Sequence, residues 1–240
     1  MKNKLIAALD VADKKDALKL VEQLWDKVGA FKIGMQLFNS EGPGIVQEIQ
    51  SLGGKVFIDL KLHDIPHTVY QASKVITRFR TFMFNVHASG GYEMMNKAAI
   101  AAREAAQDLG IEKPLILGVT VLTSISQEVF EKEVGIPYKI QDQVVSWARL
   151  AQQAGLDGVV ASPQEITPIR QSCGKEFVIV TPGVRPVWAA ANDQKRVMTP
   201  QEAVSRGASY LVVGRPITAH KNPGEAAKKI VEEMEEANDA

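Results

Sequence analysis

Four ionisable residues stand out by type and spacing: Lys32, Asp59, Lys61 and Asp64. Asp59 and Lys61 are two apart at the end of an apolar run, so a strand there would turn both side chains to one face. Lys32 sits in a similar run one element earlier and can lie beside them, while Asp64 follows His63 and precedes Ile65-Pro66. Two carboxylates and two ammoniums held close together point to function. A purely structural ion-pair network is the alternative, but buried ion pairs add little net stability compared with apolar packing. A metal site would draw on Asp59, His63, Asp64, His67 and His87. Against it, Lys32 and Lys61 would put ammonium groups where the cation has to sit. The expectation is a site without metal, with His63 and His67 as loop or interface residues and His87 as a hydrogen-bonded core histidine.

A second constellation lies further on, in Thr181-Pro182-Gly183-Val184-Arg185-Pro186 and Gly214-Arg215-Pro216-Ile217-Thr218. Glycine lets backbone N–H groups approach an anion, and arginine grips one with a bidentate fork. These two segments are expected to bind phosphate. Between them, 184–198 is long for a connection and mixes Trp188, several alanines, Asn192, Gln194 and Arg196. A loop of that length is expected to be a lid. The long segment 126–138, with its Glu/Lys-rich middle, is expected to form a small solvated helix.

The elements that must carry these residues alternate from end to end. Short apolar runs at Leu5–Leu9, Ala30–Met35, Lys55–Leu60, Met83–His87, Leu115–Leu122, Gly158–Ala161, Phe177–Thr181 and Tyr210–Gly214 read as strands buried on both faces. Amphipathic segments separate them. In 13–28, Leu18, Val21, Leu24, Trp25 and Val28 fall on one helical stripe, and 94–109 and 140–154 are rich in helix formers. Pro43 and Pro223 stand where first helical residues would. Eight units in 240 residues give 240/8 = 30 residues each, the size of a βαβ repeat. No Gly-x-Gly-x-x-Gly follows the first strand, which argues against an open dinucleotide-binding sheet. The expected fold is α/β, a single-domain (β/α)8 barrel over residues 1–240. Its active site would lie at the C-terminal strand ends, where Asp10, Lys32, Asp59, Lys61, His87, Thr123, Ser162, Thr181 and Arg215 would share one wet cavity.

Composition narrows the function further. Lys plus Arg number 28 and Asp plus Glu 28, so no basic excess favours nucleic acid as a partner. The longest apolar runs, such as 115–122, fall far short of the roughly 18 residues that span a bilayer. Cys173 is alone, which leaves no disulfide framework or cysteine-based zinc site, and the first residues carry no signal-peptide pattern. A cytoplasmic protein is expected.

Asp59-Leu60-Lys61-Leu62-His63-Asp64-Ile65-Pro66, with Thr68 just beyond, resembles the Asp-x-Lys-x-x-Asp-Ile-Pro-x-Thr signature of the orotidine 5′-phosphate decarboxylase family. The likeness runs the whole length. It takes in Ala8-Leu9-Asp10, Lys32-Ile-Gly-Met, Asn85-Val-His87-Ala, Val121-Leu-Thr123-Ser, Asp157-Gly-Val-Val-Ala-Ser, Thr181-Pro-Gly-Val-Arg185-Pro, Asp193-Gln194-Lys-Arg and Gly214-Arg-Pro-Ile-Thr. One departure is Thr77-Arg78-Phe79-Arg80-Thr81, where the family has a smaller approach containing glycine. That difference bears on a helix-to-strand turn at the far face, hence on stability.

The resemblance implies decarboxylation of orotidine 5′-phosphate to uridine 5′-phosphate without cofactor, the last step in making uridine monophosphate. It makes Lys61 the proton donor to C6 and sets Asp59 against the leaving carboxylate, with Lys32 and Asp64 holding both in an alternating chain. Asp10 and Lys32 would contact the ribose, Thr123 the pyrimidine edge, and Gln194 would link base and phosphate. Arg185, Gly214 and Arg215 would bind the phosphate, with Pro182 among the substrate contacts. Asp64, Ile65 and Thr68 would complete the site of the other subunit in a homodimer. Two rivals are a metal-dependent sugar-phosphate lyase of the same suprafamily and an inactive nucleotide-binding barrel. The first would lack the pyrimidine-reading Thr123 and Gln194, with Ile65-Pro66, and the second would have lost Asp59 or Lys61.

Overall fold

The computed structural model describes residues 1–189 and 198–238. Eight strands close into a barrel in chain order, every neighbouring pair parallel: β1 Leu5–Ala8, β2 Ala30–Gly34, β3 Val56–Leu62, β4 Met83–His87, β5 Leu115–Val119, β6 Gly158–Val160, β7 Val178–Pro182 and β8 Tyr210–Val213. The (β/α)8 expectation therefore holds, and each apolar run of the sequence overlaps one strand. Both faces of the strands are covered, as continuous apolar runs require. Inside the barrel Ile6, Ala8, Ala30, Phe57, Met83, Leu117, Val180 and Val212 form an apolar plug, while a larger cluster fills the space between strands and helices.

The helices outnumber the strands among the described residues: α1 Lys14–Leu24, α2 Met35–Glu41, α3 Gly44–Ser51, α4 Pro66–Arg78, α5 Gly91–Leu109, α6 Gln127–Lys132, α7 Ile140–Gln153, α8 Ile166–Cys173, α9 Pro200–Ser205, α10 Arg215–Thr218 and α11 Pro223–Glu235. Asp13 starts α1 by accepting the Asp16 N–H at 3.0 Å, and the helix buries Ala17, Leu20, Val21 and Leu24. Each large apolar side chain buried this way contributes about 1.5–3 kcal/mol. Trp25 corrects the expected stripe: α1 ends before it and it is 54% exposed, because the chain has already turned toward β2. Pro43 caps α3 from outside rather than opening it, whereas Pro223 does begin α11. The solvated helix expected in 126–138 is α6, capped by the Ser126 hydroxyl.

Strand β3 runs two residues beyond the apolar stretch, and its pairing with β4 slips between Ile58 and Leu62. Lys61, inside the slip, has φ +54; among the described residues only Arg80 is also a non-glycine with positive φ. Arg80 lies in the turn where glycine was expected. Gln50 braces it, its Nε2 donating to the Phe79 and Arg80 carbonyls at 2.9 and 3.0 Å. A left-handed residue with a Cβ costs roughly 1–2 kcal/mol, and the exposed Arg80 side chain offers little packing in return. Arg80→Gly should raise stability by about 0.5–1 kcal/mol, part of the relief going to the greater freedom of glycine in the unfolded chain. Urea unfolding of the two proteins checks this; a less stable variant would refute strain at the turn.

Candidate active site

The charged residues occupy the inward face one layer above the plug. Lys32 follows Ala30 by two, Asp59 follows Phe57 and Asn85 follows Met83, so the period of the strand carries all three inward. Asp10, just past β1, completes the ring. Asp10 Oδ1 lies 3.0 Å from Lys32 Nζ, which lies 3.3 Å from Asp59 Oδ2, and Asp59 Oδ1 lies 2.7 Å from Lys61 Nζ. Charges alternate along this chain: carboxylate, ammonium, carboxylate, ammonium. Asn85, given no role from the sequence beyond its place in a motif, donates from Nδ2 to Asp59 Oδ1 at 2.7 Å. Its signal was present all the same: a lone amide, spaced by two from Met83, inside an apolar strand.

Burial pushes the Asp59 carboxyl up, but Lys32 and Lys61 outweigh it, and with the hydrogen bonds from Lys61 and Asn85 they hold it below the usual carboxylate range. Asp59 is thus an ionised carboxylate with both oxygens engaged. His87 is half-buried, its ring centroid 5.3 Å from that of His63. Burial, then the neighbouring His63 and Lys61, hold His87 below the usual imidazole range. His67 is exposed on the first turn of α4. Among the described residues no group of three or more His, Cys, Asp or Glu is arranged to hold a metal ion.

A cavity of about 260 Å³ opens over the charged chain. Lys32, Asp59 and Lys61 line one side, Phe57, Val119, Val160 and Val212 form an apolar floor, and Thr123, Ser124 and Pro182 lie toward the β5 and β7 ends. Such a pocket, apolar on its floor and charged along one side, suits a small ligand that presents an anionic group to the lysines. Arg185, Gly214 and Arg215 stand outside this lining, after β7 and β8. Gly183 needs its glycine, with φ +79. At Gly214 an added Cβ would meet Ala8 Cβ and Asp10 Oδ2 at an ordinary 3.7 Å, so packing does not exclude a side chain there. Asp10 thereby borders both constellations, paired with Lys32 on one side and facing the Cα of Gly214 on the other.

Asp64, Ile65 and Thr68 are exposed in the β3–α4 turn and the start of α4, away from the cavity of their own chain. Asp64 Oδ1 accepts the Ile65 N–H at 2.7 Å, and among the described residues it has no ion-pair partner. Gln194 and most of the expected lid lie outside the described residues.

A closed parallel barrel with alternating charges over a small cavity at its C-terminal mouth defines a barrel enzyme. The chain belongs to the orotidine 5′-phosphate decarboxylase / HUMPS family, whose model matches residues 3–230. It is 57% identical over 234 residues to the orotidine 5′-phosphate decarboxylase of Syntrophomonas wolfei, covering 97% of this chain and 98% of that one. It is 55% identical over 235 residues to that of Heliobacterium modesticaldum, covering 98% and 97%. The crystal structure of orotidine 5′-phosphate decarboxylase from Lactobacillus acidophilus superposes with a TM-score of 0.85 at 35% identity, covering 96% of this chain and 98% of that chain.

The balance at Asp59 can be tipped. Removing the Lys32 ammonium in Lys32→Ala should let burial regain ground, so the Asp59 carboxyl titrates at higher pH than in the wild type. A carbon-13 titration of the aspartate carboxyls checks this; an unmoved Asp59 would show that Lys32 does not hold it.

Proposed function

We propose that this protein decarboxylates orotidine 5′-phosphate to uridine 5′-phosphate and carbon dioxide with its own side chains alone. The observation that carries the reading is the Asp59 carboxylate, buried and ionised, 2.7 Å from the Lys61 ammonium at the edge of the cavity. A substrate carboxylate placed there faces Asp59 and is disfavoured in the ground state. As the bond from C6 to the carboxyl carbon breaks, its electron pair stays on C6 and carbon dioxide leaves. Lys61 Nζ stabilises the developing charge and gives C6 a proton, which solvent returns to the amine. The barrier has to fall by about 20 kcal/mol, more than one ion pair supplies. The major source is the fixed field of the whole charge chain, already paid for in folding.

The remaining site residues divide the substrate among them. Asp10 and Lys32 take the ribose hydroxyls, Thr123 and Pro182 the base, and Arg185, Gly214 and Arg215 the phosphate. Their order across the mouth supports this, since Asp10 lies between the charge chain and Gly214. Binding energy from the phosphate then contributes to the rate as well as to affinity. A metal-dependent sugar-phosphate lyase fits less well. Asp59, its central carboxylate, has one oxygen taken by Lys61 and Asn85 and the other facing Lys32, leaving no free edge for a cation.

The reading extends to a homodimer in the cytoplasm. Asp64 is exposed and free of ion pairs among the described residues, next to Ile65, which is 65% exposed. Val75 on α4 and Tyr92 on α5 are exposed too, apolar surface that a second copy would cover. In a two-fold assembly each chain would then lend Asp64, Ile65 and Thr68 to the other's site. No described helix is long and apolar enough to cross a membrane, and the balanced charge offers nothing to nucleic acid.

The fall in ultraviolet absorbance on adding orotidine 5′-phosphate tests the activity; no change sinks the proposal. Lys61→Ala should lower turnover by at least about 10²-fold while uridine 5′-phosphate still binds, because the acid is lost and the phosphate grip stays. The shared site has a separate test. Lys61→Ala and Asp64→Ala chains, each inactive alone, are mixed and allowed to exchange. Half of randomly paired dimers are mixed and each regains one intact site, so activity should return to about a quarter of wild type. No recovery, with exchange verified by mass, would refute lending of Asp64 between subunits.

A further inference from the structure

β3 and β4 pair at Phe57–Met83 and Ile58–Phe84, and again at Leu62–Val86. Between these points β3 passes through Asp59, Leu60 and Lys61 while β4 has Asn85 alone, so three residues face one and the backbone ladder opens. Lys61 there takes φ +54, a conformation a lysine keeps only where its surroundings hold it. The Asn85 side chain spans the gap. Its Oδ1 accepts the Lys61 N–H at 2.8 Å, and its Nδ2 donates to Asp59 Oδ1 at 2.7 Å. The amide has only this orientation, because a backbone N–H can only donate and an ionised carboxylate can only accept. Asn85 is 1% exposed and does not line the cavity, so it serves its neighbours and not the substrate.

We propose that Asn85 is a positioning residue for the reaction, holding the Lys61 backbone in its left-handed turn and the Asp59 carboxylate against the two lysines. The inference rests on the decarboxylase reading of the site. Without the amide, the Lys61 N–H loses its partner and φ +54 loses its brace, so the ammonium no longer starts from a fixed backbone. A displacement of about 1 Å at a reacting group can cost of order 10²-fold in rate. Asp59 would also lose a hydrogen bond that favours its ionised form. The charged and titratable groups facing that carboxylate are Lys32 from β2, Lys61 from β3 and His87 from β4, with Asp10 beyond β1 reached through Lys32.

Two variants separate positioning from general stability. Asn85→Ala removes both hydrogen bonds. Asn85→Asp keeps the size and the acceptor for the Lys61 N–H, but sets a second carboxylate beside Asp59. Asn85→Ala should lower kcat by about 10²-fold while KM stays within about threefold, since no substrate contact is lost. The acid limb of its kcat–pH profile should move to higher pH, and that of Asn85→Asp should move further. A loss of Tm with kcat within about threefold of wild type, or an acid limb that does not move, would overturn the proposal. Failure of both variants to fold would overturn it too, by making Asn85 a residue of barrel stability. Wild type is assayed first on orotidine 5′-phosphate. Should it be inactive, the decarboxylase reading fails by itself, and a carbon-13 titration of Asp59 in the variants still decides whether Asn85 holds that carboxylate.

Discussion

The site depends on keeping one buried carboxylate ionised. Asp59 sits where burial works against its charged form, above an apolar plug and inside a closed sheet. Two ammoniums on β2 and β3 and one amide from the neighbouring β4 outweigh that effect. Everything around them follows from the need to hold like and unlike charges at fixed separations in a poorly solvated place. Water cannot do this, because its dipoles reorient with the charge; strands fixed by a parallel ladder can.

Such a cluster is a poor way to stabilise a protein, since desolvating Lys32, Asp59 and Lys61 consumes most of what their attraction returns. The stability comes from elsewhere. The plug below the charged layer and the cluster between strands and helices are apolar and almost wholly buried. The division matches the architecture: the barrel's lower layers and outer shell carry the fold, and the C-terminal ends carry the charged layer and the cavity. The local distortion falls on the same side of the ledger as the charges. The slip between β3 and β4 and the left-handed Lys61 break the regular ladder at the point where the Asp59 and Lys61 side chains meet.

The sequence carried much of this openly. Continuous apolar runs separated by amphipathic segments announce strands buried on both faces, and only a helix-wrapped parallel sheet buries them so. Polar residues at the ends of those runs announce a shared mouth, since scattered they would be too costly to bury. Trp25 was misassigned because a helical stripe continues past the point where the chain turns, and periodicity does not see the turn. The helix α2 was missed because seven residues are too few for a period to declare itself.

Residue types and spacing by themselves determined the barrel, the end of it where polar residues gather, and the membership of Lys32, Asp59 and Lys61 in one cluster, because strand periodicity and the order of elements are local properties. Tertiary structure decided which oxygen of Asp59 meets which lysine, that Asn85 joins them, and that Asp64 turns outward from its own chain's cavity. Those relations arise between strands, from a register slip of β3 against β4. A period of two would place Asp59 and Lys61 side by side on an ideal strand. Here they meet across a distorted one, held by a residue more than twenty positions away in sequence.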